Sequence, residues 1–385
     1  MTAQPCVIDG KLVDGPEALD VLDPGTGELL DRTVRGTAGH IDAAVAAARA
    51  ASHAWRRTPT GERSRILRRI GDLIRRDREA LSLLESRDTG KPLTQARADT
   101  DVAARYFEYY ANTMEAFFGH SHPANGDFIA YSRHEPFGVT GHIIPWNYPL
   151  QIGCRTIAPA IAMGNCAVVK PAEEAPLSVI KLAQLALEAG LPAGVLNVVP
   201  GLGAEAGAAL AAHPGIDHLS FTGSVPVGSM VAKAAADNVI PVALELGGKS
   251  PNIVFPDADL DAAIPVIVKS IIQNAGQTCS AGSRLLVHEH VRDATVARVG
   301  EVLAGLTIGV GLDDPDLGPI ISAQQLGRVT EMVDRATASG AAQVGGPGAL
   351  EIPGRGFFFP PTLLTDVDPA DEIAREEVFG PVAAA

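Results

Sequence analysis

The chain has 385 residues, of which 46% are hydrophobic and 20% charged, and its formal net charge at pH 7 is −14. That length exceeds what one simple core organises and predicts two or three domains. The acidic balance argues against nucleic acid and anionic membrane surfaces as partners, and says little about a small substrate, because a global charge need not reflect a pocket. Cys6, Cys154, Cys166 and Cys279 are widely spaced and form no CxxC pair, so neither a disulfide framework nor a zinc site is expected. Free thiols suit a reducing cytoplasm. The start, Met1-Thr2-Ala3-Gln4-Pro5-Cys6, has no basic segment followed by an apolar run, so no signal peptide is expected. The most apolar region, 137–169, is broken by Pro145, Pro149, Arg155 and Pro159 and reads as buried core, not a membrane span.

Residues 38–118 read as helical. Ile41, Val45 and Ala48 fall on one face, as do Ile66, Ile70, Leu73 and Ile74. Arg68, Arg69, Arg75 and Arg76 lie among them and read as a solvated helix face in an acidic chain. Thr89-Gly90-Lys91-Pro92 ends one helix, and a second runs to about Phe118. From Gly119 to Arg133 the chain is polar, with Gly and Pro, and alternates near its end, as an extended hairpin does. Strands are then expected near 137–144, 166–170, 195–199, 217–221 and 240–245, with helices near 151–164, 176–189, 203–211 and 224–236. Such alternation predicts an α/β fold with a parallel sheet covered on both faces. A further strand–helix pattern follows from Pro251, and the chain closes on Ala383-Ala384-Ala385.

The run Asn274-Ala275-Gly276-Gln277-Thr278-Cys279-Ser280-Ala281-Gly282-Ser283-Arg284 puts one cysteine just past a long apolar stretch, on a Gly-containing loop. A small molecule can reach a thiol there, and a thiolate is a strong nucleophile. Taken alone, a free cysteine is more often a buried structural residue. Three other segments reverse that balance: Pro145-Trp146-Asn147-Tyr148-Pro149, Lys170-Pro171-Ala172-Glu173, and Leu244-Glu245-Leu246-Gly247-Gly248-Lys249-Ser250-Pro251-Asn252. In this order the four segments resemble the aldehyde dehydrogenase superfamily, and the resemblance runs from about Val21 to Pro381.

Phe221-Thr222-Gly223-Ser224-Val225-Pro226-Val227-Gly228 ends a predicted strand and opens a helix, whose first turn offers free N–H groups to a pyrophosphate. Pro226 is tolerated there because its missing N–H would be unpaired anyway. A tight packing turn explains the run equally well. The family uses this variant turn for NAD(P), which implies cofactor contacts from Gly223, Ser224 and Gly228, and from Trp146. Lys170 and Glu173 follow a predicted strand, where dinucleotides bind in such sheets, although a surface ion pair is the simpler reading of the two residues. In the family the matching residues reach the adenosine ribose hydroxyls. A carboxylate there accepts from a hydroxyl and repels a 2′-phosphate, so Glu173 favours NAD over NADP. In Glu376-Glu377-Val378-Phe379-Gly380-Pro381, the resemblance implies that Glu377 contacts the nicotinamide ribose and that Phe379 packs by the nicotinamide. Leu317-Gly318-Pro319 also looks like a family loop, with no chemistry assigned to it.

Aldehyde oxidation at a thiol needs a nucleophile for the carbonyl, donors for the oxyanion and a base that delivers water to the thioester. Cys279 fits the first role. Asn147 fits the second, since its amide donates without carrying charge, with the Cys279 backbone N–H as companion. Glu245 fits the third. Alone, Asn147 reads as a turn residue between prolines, and Glu245 as a strand-end carboxylate. The resemblance implies that the three meet in one pocket.

The fold so implied is a Rossmann-like cofactor domain over 1–118 and 138–246, an oligomerisation hairpin over 119–137, and a catalytic domain over 247–385. That last domain is expected to be incomplete, because family members continue beyond the match to Gly380-Pro381-Val382, and the final strand is expected to leave a sheet position unfilled. The implied function is NAD-dependent oxidation of a small aldehyde to its acid, in a cytoplasmic homo-oligomer. A CoA-acylating semialdehyde dehydrogenase is one alternative, opposed by Glu245, which CoA-dependent members generally lack. A catalytically silent fragment that only binds cofactor or partners is the other. The stretch 279–289 is locally similar to betaine- and aminoaldehyde-oxidising branches.

Overall fold

Two three-residue strands that the sequence reading did not anticipate open the fold: β1 (Cys6–Ile8) and β2 (Lys11–Val13). Cys6 is fully buried, because β1 pairs on both sides and Cys6, Val7 and Ile8 are covered on both of its faces. The computed structural model describes residues 3–345 and 354–385. These form two compact units. The first comprises residues up to Asp20, 31–81 and 97–245; the second comprises 21–30, 82–96 and 246–385. The hairpin segment lies within the first, whereas 21–30 and 82–96, assigned from sequence to the cofactor domain, belong to the second.

After the two-stranded ribbon β3 (Ala18–Asp23) and β4 (Glu28–Val34), the expected helical region appears as four helices: α1 (Ala38–Trp55), α2 (Thr60–Arg76), α3 (Arg78–Thr89) and α4 (Leu93–Thr113). Breaks fall at Pro59, at Asp77 and at Gly90–Pro92. On α2 the residues Leu67, Ile70, Leu73 and Ile74 are buried. Arg68, Arg69, Arg75 and Arg76 are exposed on the same helix. Arg75 pairs with Glu108 at 2.6 Å, and Arg76 pairs with Asp77 at 2.7 Å and with Glu188. The hairpin is a short antiparallel pair, β5 (Ser121–His122) and β6 (Ala130–Tyr131).

The alternating stretch gives β7 (Val139–Ile144), α5 (Pro149–Ala162), β8 (Cys166–Pro171), α6 (Leu177–Glu188), β9 (Leu196–Val198), α7 (Ala208–Ala211), β10 (His218–Gly223), α8 (Val225–Asp237) and β11 (Val242–Leu246). The sheet order is β11-β10-β7-β8-β9-β1-β2, with β10, β7, β8 and β9 mutually parallel. Helices α5 and α6, backed by α2, pack together, while α1, α7 and α8 pack as a second group against the sheet. With helices on both faces, β8 is buried at every position, which accounts for its apolar run.

The second unit carries β12 (Pro251–Val254), α9 (Leu260–Ile272), β13 (Arg284–Val287), α10 (Arg292–Ala304), α11 (Ala323–Ala338), β14 (Ala342–Gly345), β15 (Thr362–Thr365), α12 (Glu372–Arg375) and β16 (Val382–Ala384). Its sheet order is β12-β13-β16-β15-β14. The expectation of an unfilled position at the final strand is corrected here: β16 lies at the centre and pairs in parallel with β13 and β15. Its side chains alternate between two cores. Ala383 packs in one core with Ile264, Ile267, Val299 and Leu303, while Val382 and Ala384 pack in another with Val329 and Met332.

Candidate active site

In the first unit, the chain adds β8 and β9 on one side of β7, then returns to add β10 and β11 on the other. That reversal makes β7 the switch point, beside which open α/β sheets bind ligands at their strand carboxyl ends. The sequence-derived residues of this unit all sit there. Trp146 and Asn147 follow the end of β7, and Asn147 is 5% exposed, two residues before α5 starts at Pro149. Lys170 is the penultimate residue of β8 and Glu173 lies two beyond its end. Gly223 ends β10, Ser224 is the N-cap of α8 and Gly228 is buried in that helix. Glu245, exposed, is the penultimate residue of β11.

Lys170 is 3% exposed and its Nζ lies 2.6 Å from Glu173 Oε2. The other carboxylate oxygen accepts from the Gly203 N–H at 3.1 Å. Burial would raise the Glu173 pKa, but attraction to Lys170 and these hydrogen bonds outweigh it and hold the group below the ordinary carboxylate value. Glu173 is therefore a fixed anion. Ser224 has extended backbone (φ −72°, ψ 152°) and its side chain does not cap α8, so the first-turn N–H groups of that helix have no side-chain partner. A Cβ on Gly223 would stand 2.6 Å from the Phe221 ring, which accounts for glycine at that turn. A fixed carboxylate, a buried ammonium and an uncapped helix start suit a dinucleotide's ribose and pyrophosphate.

In the second unit, Cys279 is exposed on the loop that follows α9. Three consecutive residues before it have left-handed backbone: Asn274 at φ 50°, Ala275 at 54° and Gly276 at 71°. At Ala275 that conformation is a local strain. Gly276 cannot be replaced without movement, since a Cβ there would lie 2.0 Å from the Gly380 carbonyl oxygen. The buried Gln277 ties the loop down. Its amide NH2 donates to the carbonyls of Asn274 (3.1 Å) and Pro319 (3.4 Å), and its Oε1 accepts from Ile321 N–H (2.9 Å). The Leu317-Gly318-Pro319 loop thus acquires a structural role that the sequence reading left blank.

The Gly-Gly pair after Glu245 also has a local cause. A Cβ on Gly247 would meet Glu377 Oε2 at 2.0 Å, and Gly248 N–H donates to Glu377 Oε1 at 3.4 Å. Burial raises the Glu377 pKa, opposed by the Gly248 hydrogen bond and by Arg328 and Lys249. Lys249 Nζ is buried without a hydrogen-bond partner. Burial first, then repulsion from Arg284, pushes its pKa down to about 8 against the pull of Glu377 and Glu376. Phe379 has φ 57°, an outlier for an aromatic residue. Side chains of α11 hold that backbone: Gln325 Nε2 donates to the carbonyls of Phe379 (2.9 Å) and Val378 (3.3 Å), and Arg328 donates to that of Glu377 (3.1 Å). Gln325 and Arg328 escaped the sequence reading, since nothing in their helical spacing distinguishes them from surface residues. Gln277 stood inside the quoted motif and was the one brace with a signal.

Residues 13–385 match the model of the aldehyde dehydrogenase family. The chain belongs to the aldehyde dehydrogenase family. It is 43% identical over 384 residues to an aldehyde dehydrogenase of Enchytraeus buchholzi, covering 97% of this chain and 77% of that one. Among solved structures it resembles an NAD-dependent aldehyde dehydrogenase from Sinorhizobium meliloti at TM-score 0.96 and 40% identity, covering 100% of this chain and 77% of that one. It also resembles an aldehyde dehydrogenase from Bacillus cereus, solved as an NAD+ complex, at TM-score 0.97 and 38% identity, covering 99% and 79%. As a family member this aldehyde dehydrogenase is an NAD-dependent oxidoreductase that converts an aldehyde to a carboxylic acid, on the α/β fold with the Rossmann-like sheet described above. Among the described residues, no helix is long and apolar enough to cross a membrane.

Proposed function

We propose that Cys279 is the nucleophile, Asn147 the oxyanion donor and Glu245 the base of this oxidation. One observation carries the reading: of the four cysteines, Cys279 alone is exposed. Burial pushes the Cys6 and Cys166 thiols up to about 12, out of the range of useful nucleophiles at neutral pH, and Cys154 is buried as well. Cys279 Sγ adds to the aldehyde carbon and forms a thiohemiacetal. The Asn147 amide NH2 and the Cys279 backbone N–H donate to the oxyanion. When bound, NAD accepts the hydride that leaves the substrate carbon. Glu245 then takes a proton from water as that water attacks the resulting thioester, releasing the acid and the thiol. Lys170 and Glu173 hold the adenosine ribose, and Gly223, Ser224 and Gly228 with the first turn of α8 receive the pyrophosphate. Trp146, Glu377 and Phe379 serve the nicotinamide end. The anionic Glu173 selects NAD over NADP. Glu245 speaks against CoA-dependent release of an acyl group.

The subunit is read as one part of a homo-oligomer that works in the cytoplasm without nucleic acid or membrane partners. Supporting the first point, Phe118, Phe128, Ile129 and Tyr131 are strongly exposed at the hairpin, with Phe128 at 81% and Ile129 at 89%. Four free cysteines fit a reducing compartment.

Replacing Glu245 with Gln keeps the shape and removes the base. The variant is expected to give a rapid burst of NADH equal to the enzyme present, followed by turnover slowed by about 10²–10⁴-fold. Rapid mixing with a panel of aldehydes, beside a titration of NAD binding, reads both phases. A uniform slowing without a burst would move Glu245 to an earlier step. NAD binding with no NADH from any aldehyde would favour the silent alternative.

A further inference from the structure

Gln95 stands outside every motif read from the sequence, yet its side chain meets the start of the cysteine loop. At the end of α9 the Gln273 N–H still donates to the Lys269 carbonyl. The next N–H, that of Asn274, donates to Gln95 Oε1 at 2.9 Å, across 179 residues of sequence. Asn274 opens the left-handed run 274–276, and the same loop carries Cys279. The residues after Asn274 have restraints of their own. Ala275 is buried beside Leu317, Ile320 and Val329, Gly276 lies against the Gly380 carbonyl, and Gln277 is tied to Pro319 and Ile321.

Gln95 is itself firmly seated. It lies in the first turn of α4, in the stretch 82–96 that belongs to the second unit. Asp314 Oδ1 accepts from the Thr94 N–H at 2.7 Å, and Oδ2 accepts from the Thr94 hydroxyl. A Cβ on Gly311 would stand 2.4 Å from the Lys91 carbonyl oxygen, and one on Gly318 would stand 2.4 Å from that of Gly90. The chain leading into α4 therefore packs backbone to backbone on the loop 311–318. A side chain on so fixed a turn presents its oxygen at a fixed point.

We propose that Gln95 is a positioning residue for the oxidation: its oxygen holds the Asn274 N–H where the chain leaves α9, and so aims the Cys279 thiol and backbone N–H at the substrate carbonyl. The inference rests on Cys279 being the nucleophile. The role needs an acceptor alone. A carboxylate of the same length accepts as well as the amide, whereas a thioether of the same length is a weak acceptor. Without the acceptor, the Asn274 N–H finds another partner only if the turn relaxes from its left-handed conformation, which is already unfavourable at Ala275. Relaxation moves the thiol and the oxyanion donor together, and a misplacement of about 1 Å slows a reaction on the order of 10²-fold.

The test compares Gln95→Met with Gln95→Glu. In the Met variant kcat for aldehyde oxidation is expected to fall by about 10–100-fold. Its NAD affinity by calorimetry should stay within about twofold of the parent, because the proposed ribose and pyrophosphate contacts lie in the first unit. Iodoacetamide should label Cys279, the exposed cysteine, at least about threefold faster as the loop loosens. Gln95→Glu should bring kcat back to within about threefold of the parent and return the labelling rate with it, since its carboxylate accepts from the same N–H. Mere loosening of the second unit would not be cured by Glu, so Met and Glu variants slowed alike overturn the proposal. A Met variant that matches the parent in both turnover and labelling also overturns it, and leaves Cys279 as the nucleophile. Labelling that quickens in Met and returns in Glu, with turnover unchanged in both, upholds the brace and removes Cys279 from the chemistry.

Discussion

Lys170, Ser224 and Glu245 take their positions from strands hydrogen-bonded into a seven-stranded sheet, whereas Cys279 takes its position from three consecutive left-handed residues and the amide of one glutamine. The sheet residues are placed by topology: any chain that adds strands on both sides of β7 creates the same crevice. The cysteine loop is placed by particular atoms, and it carries strain at Ala275. Rigid frames tolerate a change at their ends, while braced loops depend on every brace. Mutation should therefore separate the two regions.

The largest effect is expected from Cys279→Ala. NADH formation should fall to background, on the order of 10⁴-fold or more, while NAD affinity measured by calorimetry stays within about twofold. Normal turnover in this variant would remove Cys279 from the mechanism. Next is Gln277→Ala, which deletes three hydrogen bonds and orphans the Ile321 N–H. The expected cost is about 2–4 kcal/mol in denaturant unfolding of the second unit, with faster alkylation of Cys279 by iodoacetamide and unchanged NAD binding. An unaltered alkylation rate would mean that the left-handed backbone holds the loop unaided.

On the sheet side, His142 is neutral in the folded chain, with a pKa of about 3 against an ordinary 6.5. A depressed folded value means that the unfolded chain binds the extra proton first. Stability is then fully present above about pH 6.5 and is lost as pH falls toward 3. The slope is roughly 1.4 kcal/mol per pH unit inside that window. Unfolding curves at pH 7 and pH 5.5 should differ by about 1 kcal/mol more in the parent than in His142→Gln. Parallel pH dependence in both would show that His142 is protonated in the fold. The smallest effect is expected from Glu173→Ser, which changes a charge and leaves the frame intact. The preference for NAD over NADP, read as a ratio of kcat/KM values, should weaken by about 1–2 kcal/mol, or roughly 5–30-fold. Equal use of both cofactors by the parent enzyme would remove Glu173 from the discrimination.

The contrast also explains what the sequence made legible. The strands β7 to β11 carry apolar runs punctuated by Gly and Pro, so their ends, and with them Asn147, Lys170 and Glu245, could be located within a few residues. The strands β1 and β2 are three residues long, too short for any periodicity, so nothing in the sequence marked Cys6 as part of a strand. Gln325 and Arg328 act on a segment some fifty residues away in sequence, a relation that no local pattern records. Arg155, which the sequence shows only as a charge interrupting an apolar stretch, lines an open cavity of the first unit because of the face that α5 turns toward it. The three alanines at 383–385 offer no pattern to read, yet the first two lie in a strand flanked on both sides and packed into two cores.

The second unit is assembled from three separated stretches, 21–30, 82–96 and 246–385. During synthesis the two early pieces leave the ribosome long before the strands that complete the unit. Between residues 96 and 246 the delay is roughly 8–30 s at ordinary elongation rates of about 5–20 residues per second. Throughout that interval Glu85, Asp88 and Lys91, all fully buried in the finished fold, stay open to solvent, although Glu85 and Lys91, which pair at 3.6 Å, already have each other. The first unit, by contrast, has all of its own residues once Glu245 has emerged, and can fold while the rest is still being made. The proposed cysteine nucleophile is thus expected to be seated last, on a support whose earliest residues have waited longest.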